Sequence, residues 1–151
     1  MINSNIILED DQQARKSALD VSRSFIVQAP AGSGKTELLI QRYLALLSIV
    51  NSPEEIVAIT FTRKAAAEIK LRVINALQGY KFRDKPFEKH SLKTYELAGM
   101  ALERSAKLKW DLIDNPNRMR IQTIDSLNVS ISNLSCSGES HPSCRPAAGR
   151  P

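Results

Sequence analysis

Phe25 to Thr36 reads FIVQAPAGSGKT: three apolar residues lead into a loop with two glycines, which closes on Lys-Thr. This is the pattern of a short buried strand feeding a phosphate-binding loop. Gly32 and Gly34 let the backbone curl so that successive N–H groups face an anion, and Lys35 carries a mobile positive charge to the β- and γ-phosphates. Thr36 offers a hydroxyl to Mg²⁺. The helix predicted to follow adds the positive end of its dipole at the same point. The implied ligand is ATP or GTP.

The strict pattern G-x-x-x-x-G-K-[ST] fails at its first position, where Ala29 stands. The surroundings restore the reading. Phe25 to Val27 is a short apolar run, and Thr36 to Val50 carries Leu38, Leu39, Tyr43, Leu44, Leu46, Leu47 and Val50 at near-helical spacing. A Gly-Ser turn with a chance Lys-Thr would not need a strand before it and a helix after it.

Of the 151 residues, 42% are apolar and 25% charged, the composition of a globular protein. The length admits one domain, or a piece of a larger one. No apolar run approaches a membrane span, and MINSNIILEDDQQ lacks the basic start and cleavage signature of a secretory signal. The expectation is a cytoplasmic protein without membrane contact. A net charge of +5 favours an anionic partner, although part of it belongs to the nucleotide site. Cys136, His141 and Cys144 make three metal ligands with no fourth nearby, so reduced thiols in a tail are the plainer reading.

Ahead of the loop, Ile6 to Leu8 leads into the turn Glu9 to Gln13, and Ala14 to Leu19 reads as a short helix. The amide of Gln12 or Gln13 both donates and accepts and so matches the adenine N6/N7 edge, but two solvated glutamines are the plainer reading of these residues alone. After the loop helix, Asn51-Ser52-Pro53 is a stop. Ile56 to Thr60, IVAIT, reads as a second strand, apolar on both faces, and closes a βαβ unit. Thr60 to Val73, TFTRKAAAEIKLRV, then delivers Phe61, Thr62, Arg63 and Lys64 to the rim where ligands bind in open α/β sheets, with a helix ending at Gly79. An aromatic beside two cations at a helix N-terminus suits single-stranded nucleic acid; a buried Phe61 beside a solvated cationic face is an equal alternative.

Tyr80 to His90, YKFRDKPFEKH, reads as a basic linker, and Ser91 caps a helix running to Lys107 with Trp110, Leu112 and Ile113 packed beside it. Arg120 to Ile124, RIQTI, reads as a third strand, with a helix from Asp125-Ser126 to Leu134. From Ser135 the composition becomes that of a disordered segment.

The phosphate loop, the TFTRKAAAE tract and the RIQTIDSL tract, in that order, resemble the UvrD/Rep superfamily 1 DNA helicases, most closely their RecB/AddA-like, exonuclease-associated members. The resemblance covers Asp10 to Leu134. It implies that Gln12 or Gln13 reads adenine. It also implies that Ala29, Pro30, Ala31, Gly32, Ser33, Gly34, Lys35 and Thr36 form helicase motif I, binding ATP and Mg²⁺ with Lys35 and Thr36 as its catalytic residues. Thr60 to Glu68 looks like motif Ia and Thr123 to Leu127 like motif Ib, so that Phe61, Thr62, Arg63 and Thr123 line a path for single-stranded DNA. The implied division is 1–78 for the first part of the motor domain, 79–119 for a helical insertion, 120–134 for the motif Ib strand and helix start, and 135–151 for a tail outside the family pattern.

Arg63 stands where many members have asparagine, and Asp125 where many have a DNA-facing histidine; an aspartate there repels phosphate unless paired. The family's motif II aspartate and glutamate and its later arginines have no match in these residues, which implies a motor incomplete as a catalyst. The fold expected is α/β, a RecA-like P-loop NTPase with a partial parallel sheet, helices on both faces and a small helical insertion. The function expected is the ATP-binding N-terminal part of an ATP-dependent DNA helicase or exonuclease motor, working within a nuclease/helicase complex. A non-catalytic nucleotide- and DNA-binding module is the alternative. A small P-loop kinase suits the length but leaves TFTRKAAAE and RIQTIDSL unexplained.

Overall fold

The computed structural model of the chain describes residues 12–82, 86 and 89–135. The first helix, α1, covers 12–18 of the described residues. Helix α2, Lys35–Leu47, is amphipathic in a broad sense: Leu38, Ile40, Tyr43, Leu44, Ala45 and Leu47 are buried. Leu39, apolar but on the remaining face, is exposed. A 3₁₀ turn, Pro53–Glu55, opens on proline as helix starts allow and leads into strand β1, Val57–Thr60. Helices α3, Arg63–Phe82, and α4, Lys89–Leu108, follow. A second 3₁₀ turn, Pro116–Arg118, leads into β2, Arg120–Thr123, and the chain turns straight into α5, Ile124–Ser135.

The two strands pair in parallel with Val57 opposite Arg120 and Thr60 opposite Thr123. The core lies where α2, α3 and α4 meet, around Leu44, Leu47, Val73, Leu77, Ala98, Ala101 and Leu112. Each large aliphatic side chain among them contributes about 1.5–3 kcal/mol by leaving water. Trp110 sits in the same cluster, as its sequence neighbourhood predicts, flanked by Lys109 and Asp111 at φ 54° and 51°. These left-handed residues turn the chain, and the indole N–H donates to the Asn51 carbonyl at 3.2 Å. Arg104 of α4 binds the carbonyls of Val50 and Ile49 and the Asn51 side chain. The region expected as an insertion therefore closes the C-terminal end of α2.

Three expectations need correction. Phe25 to Val27 forms no strand: residues 24–30 lie outside any helix or ladder, and Ile26 is fully exposed. An apolar run becomes a strand only where a neighbour satisfies its N–H and C=O groups, and β1 and β2 pair with each other. The sheet is also not covered on both faces by the described residues. Ala58, Thr60, Ile121 and Thr123 share the face on which α3 packs, whereas Val57 and Ile59 on the other are 41% and 52% exposed. The second strand is consequently not buried on both sides. Boundaries shift as well: α3 runs past Gly79 to Phe82, and Ile124 belongs to α5 rather than to the third strand. Cys136, His141 and Cys144 lie outside the described residues, as do the tail and most of 83–88.

Candidate nucleotide and nucleic-acid sites

Residues 24–30 lead into a turn in which the Ser33 N–H donates to the Pro30 carbonyl at 3.4 Å. Gly32 and Gly34 take φ of 79° and 81°, values an L side chain rarely adopts. Gly34 is also the N-cap of α2 and carries no side chain that could accept from the first-turn N–H groups. Those donors, with the positive end of the helix dipole, face the loop. Ser33 Oγ is buried and has no hydrogen-bond partner among the described residues. The loop thus presents donors in excess of acceptors, which is what an anion needs.

Lys35 Nζ lies 2.5 Å from the carbonyl oxygens of both Ala29 and Pro30. Its ammonium spans the loop, and a phosphate would exchange these acceptors for stronger, charged ones. The adjoining cleft, about 360 Å³, is lined by Arg15, Ser33 and Lys35 among apolar side chains including Ala18, Phe25, Val27 and Leu38. Arg15 places Nη2 2.5 Å from the Ser33 carbonyl. No motif in the sequence marks Arg15, although it lies one helical turn after Gln12 and so on the same side of α1. Gln12 and Gln13 are exposed, and neither lines the cleft.

Thr36 is exposed at the start of α2. Among the described residues no group of three His, Cys, Asp or Glu side chains could hold a metal. A single hydroxyl suits Mg²⁺ that arrives on a nucleotide, because that ion keeps several waters and takes phosphate oxygens. Glu37, next in sequence, does not line the cleft; its carboxylate accepts from Thr94 Oγ1 of α4 at 2.5 Å, and Gln41 Nε2 donates to the same hydroxyl at 3.0 Å.

The second site follows from strand register. Because Thr60 faces Thr123, both strands end at one level, and each gives way to a helix there. Thr62 caps α3 through Ala65 N–H to Oγ1 at 3.1 Å. Thr123 caps α5 through Ser126 N–H to its Oγ1 at 3.3 Å, and the two hydroxyls lie 2.9 Å apart. Between the helix starts lies a cleft of about 490 Å³ lined by Phe61, Arg63, Thr123, Asp125, Ser126 and Val129. Phe61 is 89% exposed, which removes the reading of it as a core residue. Arg63 is exposed, Thr123 is only 5% exposed, and Thr62 does not line the cleft. The structure therefore gathers Phe61, Arg63 and Thr123 and gives both threonines a capping task.

Residues 9–136 match the UvrD/REP helicase N-terminal domain family. DNA helicase II of Salmonella typhimurium is 45% identical over 69 residues, 44% of this chain and 10% of that protein. ATP-dependent DNA helicase Rep of Buchnera aphidicola is 40% identical over 68 residues, again 44% and 10%. An ATP-dependent helicase/nuclease subunit of Desulfitobacterium hafniense is 37% identical over 67 residues, 42% of this chain and 5% of that protein. The matched segments thus cover a tenth or less of these three relatives. No solved structure gives a significant match. Among the described residues no helix is long and apolar enough to cross a membrane.

Proposed function

The chain belongs to the UvrD/REP helicase N-terminal domain family, and from that premise we propose that it binds ATP with Mg²⁺ at the 29–36 loop and single-stranded DNA at the Phe61 cleft. The fold proposed is the corresponding part of a RecA-like P-loop domain, with 79–119 inserted between the motif Ia and motif Ib segments. Its activity belongs to an ATP-dependent DNA helicase, of the kind named in the Rep relative.

The placement of Phe61 carries the DNA reading. An almost fully exposed ring beside Arg63, between two capped helix N-termini, offers a base a stacking face and its phosphate a positive environment. Stacking on such a ring contributes about 1–3 kcal/mol per base. At the loop, Lys35 and the first-turn N–H groups of α2 hold the triphosphate, and Thr36 supplies one oxygen to its Mg²⁺. Bound Mg²⁺ would neutralise charge on the phosphates. Gln12 or Gln13 reads the adenine.

We infer binding without rapid turnover for these 151 residues. Among the described residues no carboxylate lines the loop cleft, and Asp125 opens on the other cleft. Hydrolysis needs a group that orients water and more charge stabilisation than one lysine gives. Titration calorimetry with ATP and fluorescence anisotropy with an oligothymidylate test both sites. Lys35→Ala should abolish ATP binding alone, and Phe61→Ala should weaken DNA binding about tenfold and leave ATP binding unchanged. Unchanged affinities in these variants would remove the assignments, and ATP hydrolysis above the Lys35→Ala blank would overturn the inference on turnover.

A further inference from the structure

We propose that Arg15 is a positioning residue of the phosphate loop, which fixes the direction in which the Gly34 N–H points. The proposal rests on the reading of 29–36 as a triphosphate site and adds to it a residue outside the loop.

Ser33 C=O and Gly34 N–H belong to the same trans peptide, so they point in opposite directions. Arg15 Nη2 holds the Ser33 oxygen at 2.5 Å, which turns the Gly34 N–H away from the guanidinium. Glycine at φ 81° tolerates either orientation of the preceding peptide, so the loop itself does not select one. A charge-assisted bond from a planar donor selects it. The approach is close: a Cβ on Gly34 would lie 3.4 Å from Arg15 Nη1. Gly34 therefore serves both the left-handed turn and the access of Arg15. Because α1 carries Gln12 and Gln13 as well as Arg15, the same helix holds both candidate base readers and the loop clamp.

The test uses the full chain, with Arg15→Ala and Arg15→Lys beside Lys35→Ala. Inorganic tripolyphosphate, which has no base, and ATP are titrated calorimetrically, and the Gly34 amide is followed by NMR in the protein alone. Arg15→Ala should move the Gly34 amide resonance and weaken tripolyphosphate and ATP by the same factor, about tenfold. Arg15→Lys, which restores a donor to the Ser33 carbonyl, should recover most of both effects. Wild-type tripolyphosphate affinity in Arg15→Ala, with Lys35→Ala impaired, would overturn the role of Arg15 and leave the phosphate site standing. Lost affinity with an unmoved Gly34 amide would make Arg15 a direct phosphate ligand and overturn positioning. Lost ATP affinity with unchanged tripolyphosphate affinity would make it a base contact and overturn the proposal equally. Tripolyphosphate and ATP binding unaffected by Lys35→Ala would instead remove the phosphate-loop reading itself.

Discussion

Arg118 and Glu54 meet through two hydrogen bonds, Nε to Oε1 at 2.7 Å and Nη2 to Oε2 at 3.2 Å, and so join the turn before β2 to the turn before β1. The two residues are 64 positions apart, and their pairing sits where the starts of the two strands lie side by side. The Arg118 bond, followed by one from the Ser52 hydroxyl, pulls the Glu54 carboxyl from 4.5 down to about 2. The folded-state pKa is depressed, so the stabilisation is complete above pH 4.5 and is lost as pH falls toward 2. About a third of each side chain is exposed, so solvent screens the pair and its contribution is small. Melting temperatures between about pH 7 and pH 2 should show Arg118→Ala less stable at neutral pH and converging with the unsubstituted chain at the acid end.

How much of this is legible in the sequence depends on which interactions each feature needs. The left-handed glycine turn at Gly32 and Gly34 and the cleft beside Phe61 are legible because they follow from local residue types where a helix begins. The body of α4 and its companion Trp110 are legible from spacing, but not the helix start, which falls at Lys89 and places the expected cap Ser91 inside the helix. The absence of a strand at 25–27 is not, because a strand depends on a ladder partner and periodicity carries no information on partners. Arg15 escapes notice for a related reason: its contact spans 18 residues and ends on a backbone carbonyl, an acceptor that every position offers.

Asp125 brings a carboxylate into the cleft that holds Phe61 and Arg63. A strand of phosphates is repelled by it, and screening by salt reduces that repulsion. Asp125→Asn should raise oligothymidylate affinity about threefold at low salt, and the gain should shrink as salt is added. Anisotropy titrations at two salt concentrations measure both the gain and its decay.

Tyr43 is 3% exposed within the core, and its hydroxyl has no hydrogen-bond partner among the described residues. Burial, and secondarily the charge of Glu54, push its pKa upward, so the phenol stays protonated throughout the accessible range. Removing an unsatisfied hydroxyl relieves desolvation without loss of a bond. Tyr43→Phe should keep or raise stability, by up to about 1 kcal/mol, where deleting a bonded hydroxyl would lower it. Urea unfolding of the two chains decides the sign.

Arg42 of α2 donates to the carbonyls of Ala18, Asp20 and Arg23, and its guanidinium lies 5.3 Å from the centre of the Phe25 ring. Hydrogen exchange should show Arg42→Ala opening the segment from Ala18 to Phe25 while the α3–α4 core keeps its protection. ATP affinity should fall with it, although Arg42 does not line the cleft.

The segment 24–30 that leads into the glycine loop has no β-ladder beside it among the described residues. Its frame consists of cations seated on main-chain oxygens: Arg42 before it, Lys35 across it and Arg15 behind it. A ladder holds a strand through its backbone alone, whereas these contacts depend on side chains that a bound anion can recruit. The proposed nucleotide pocket of this chain therefore rests on side chains for its preorganisation, and each of the three cations is a point at which substitution loosens it.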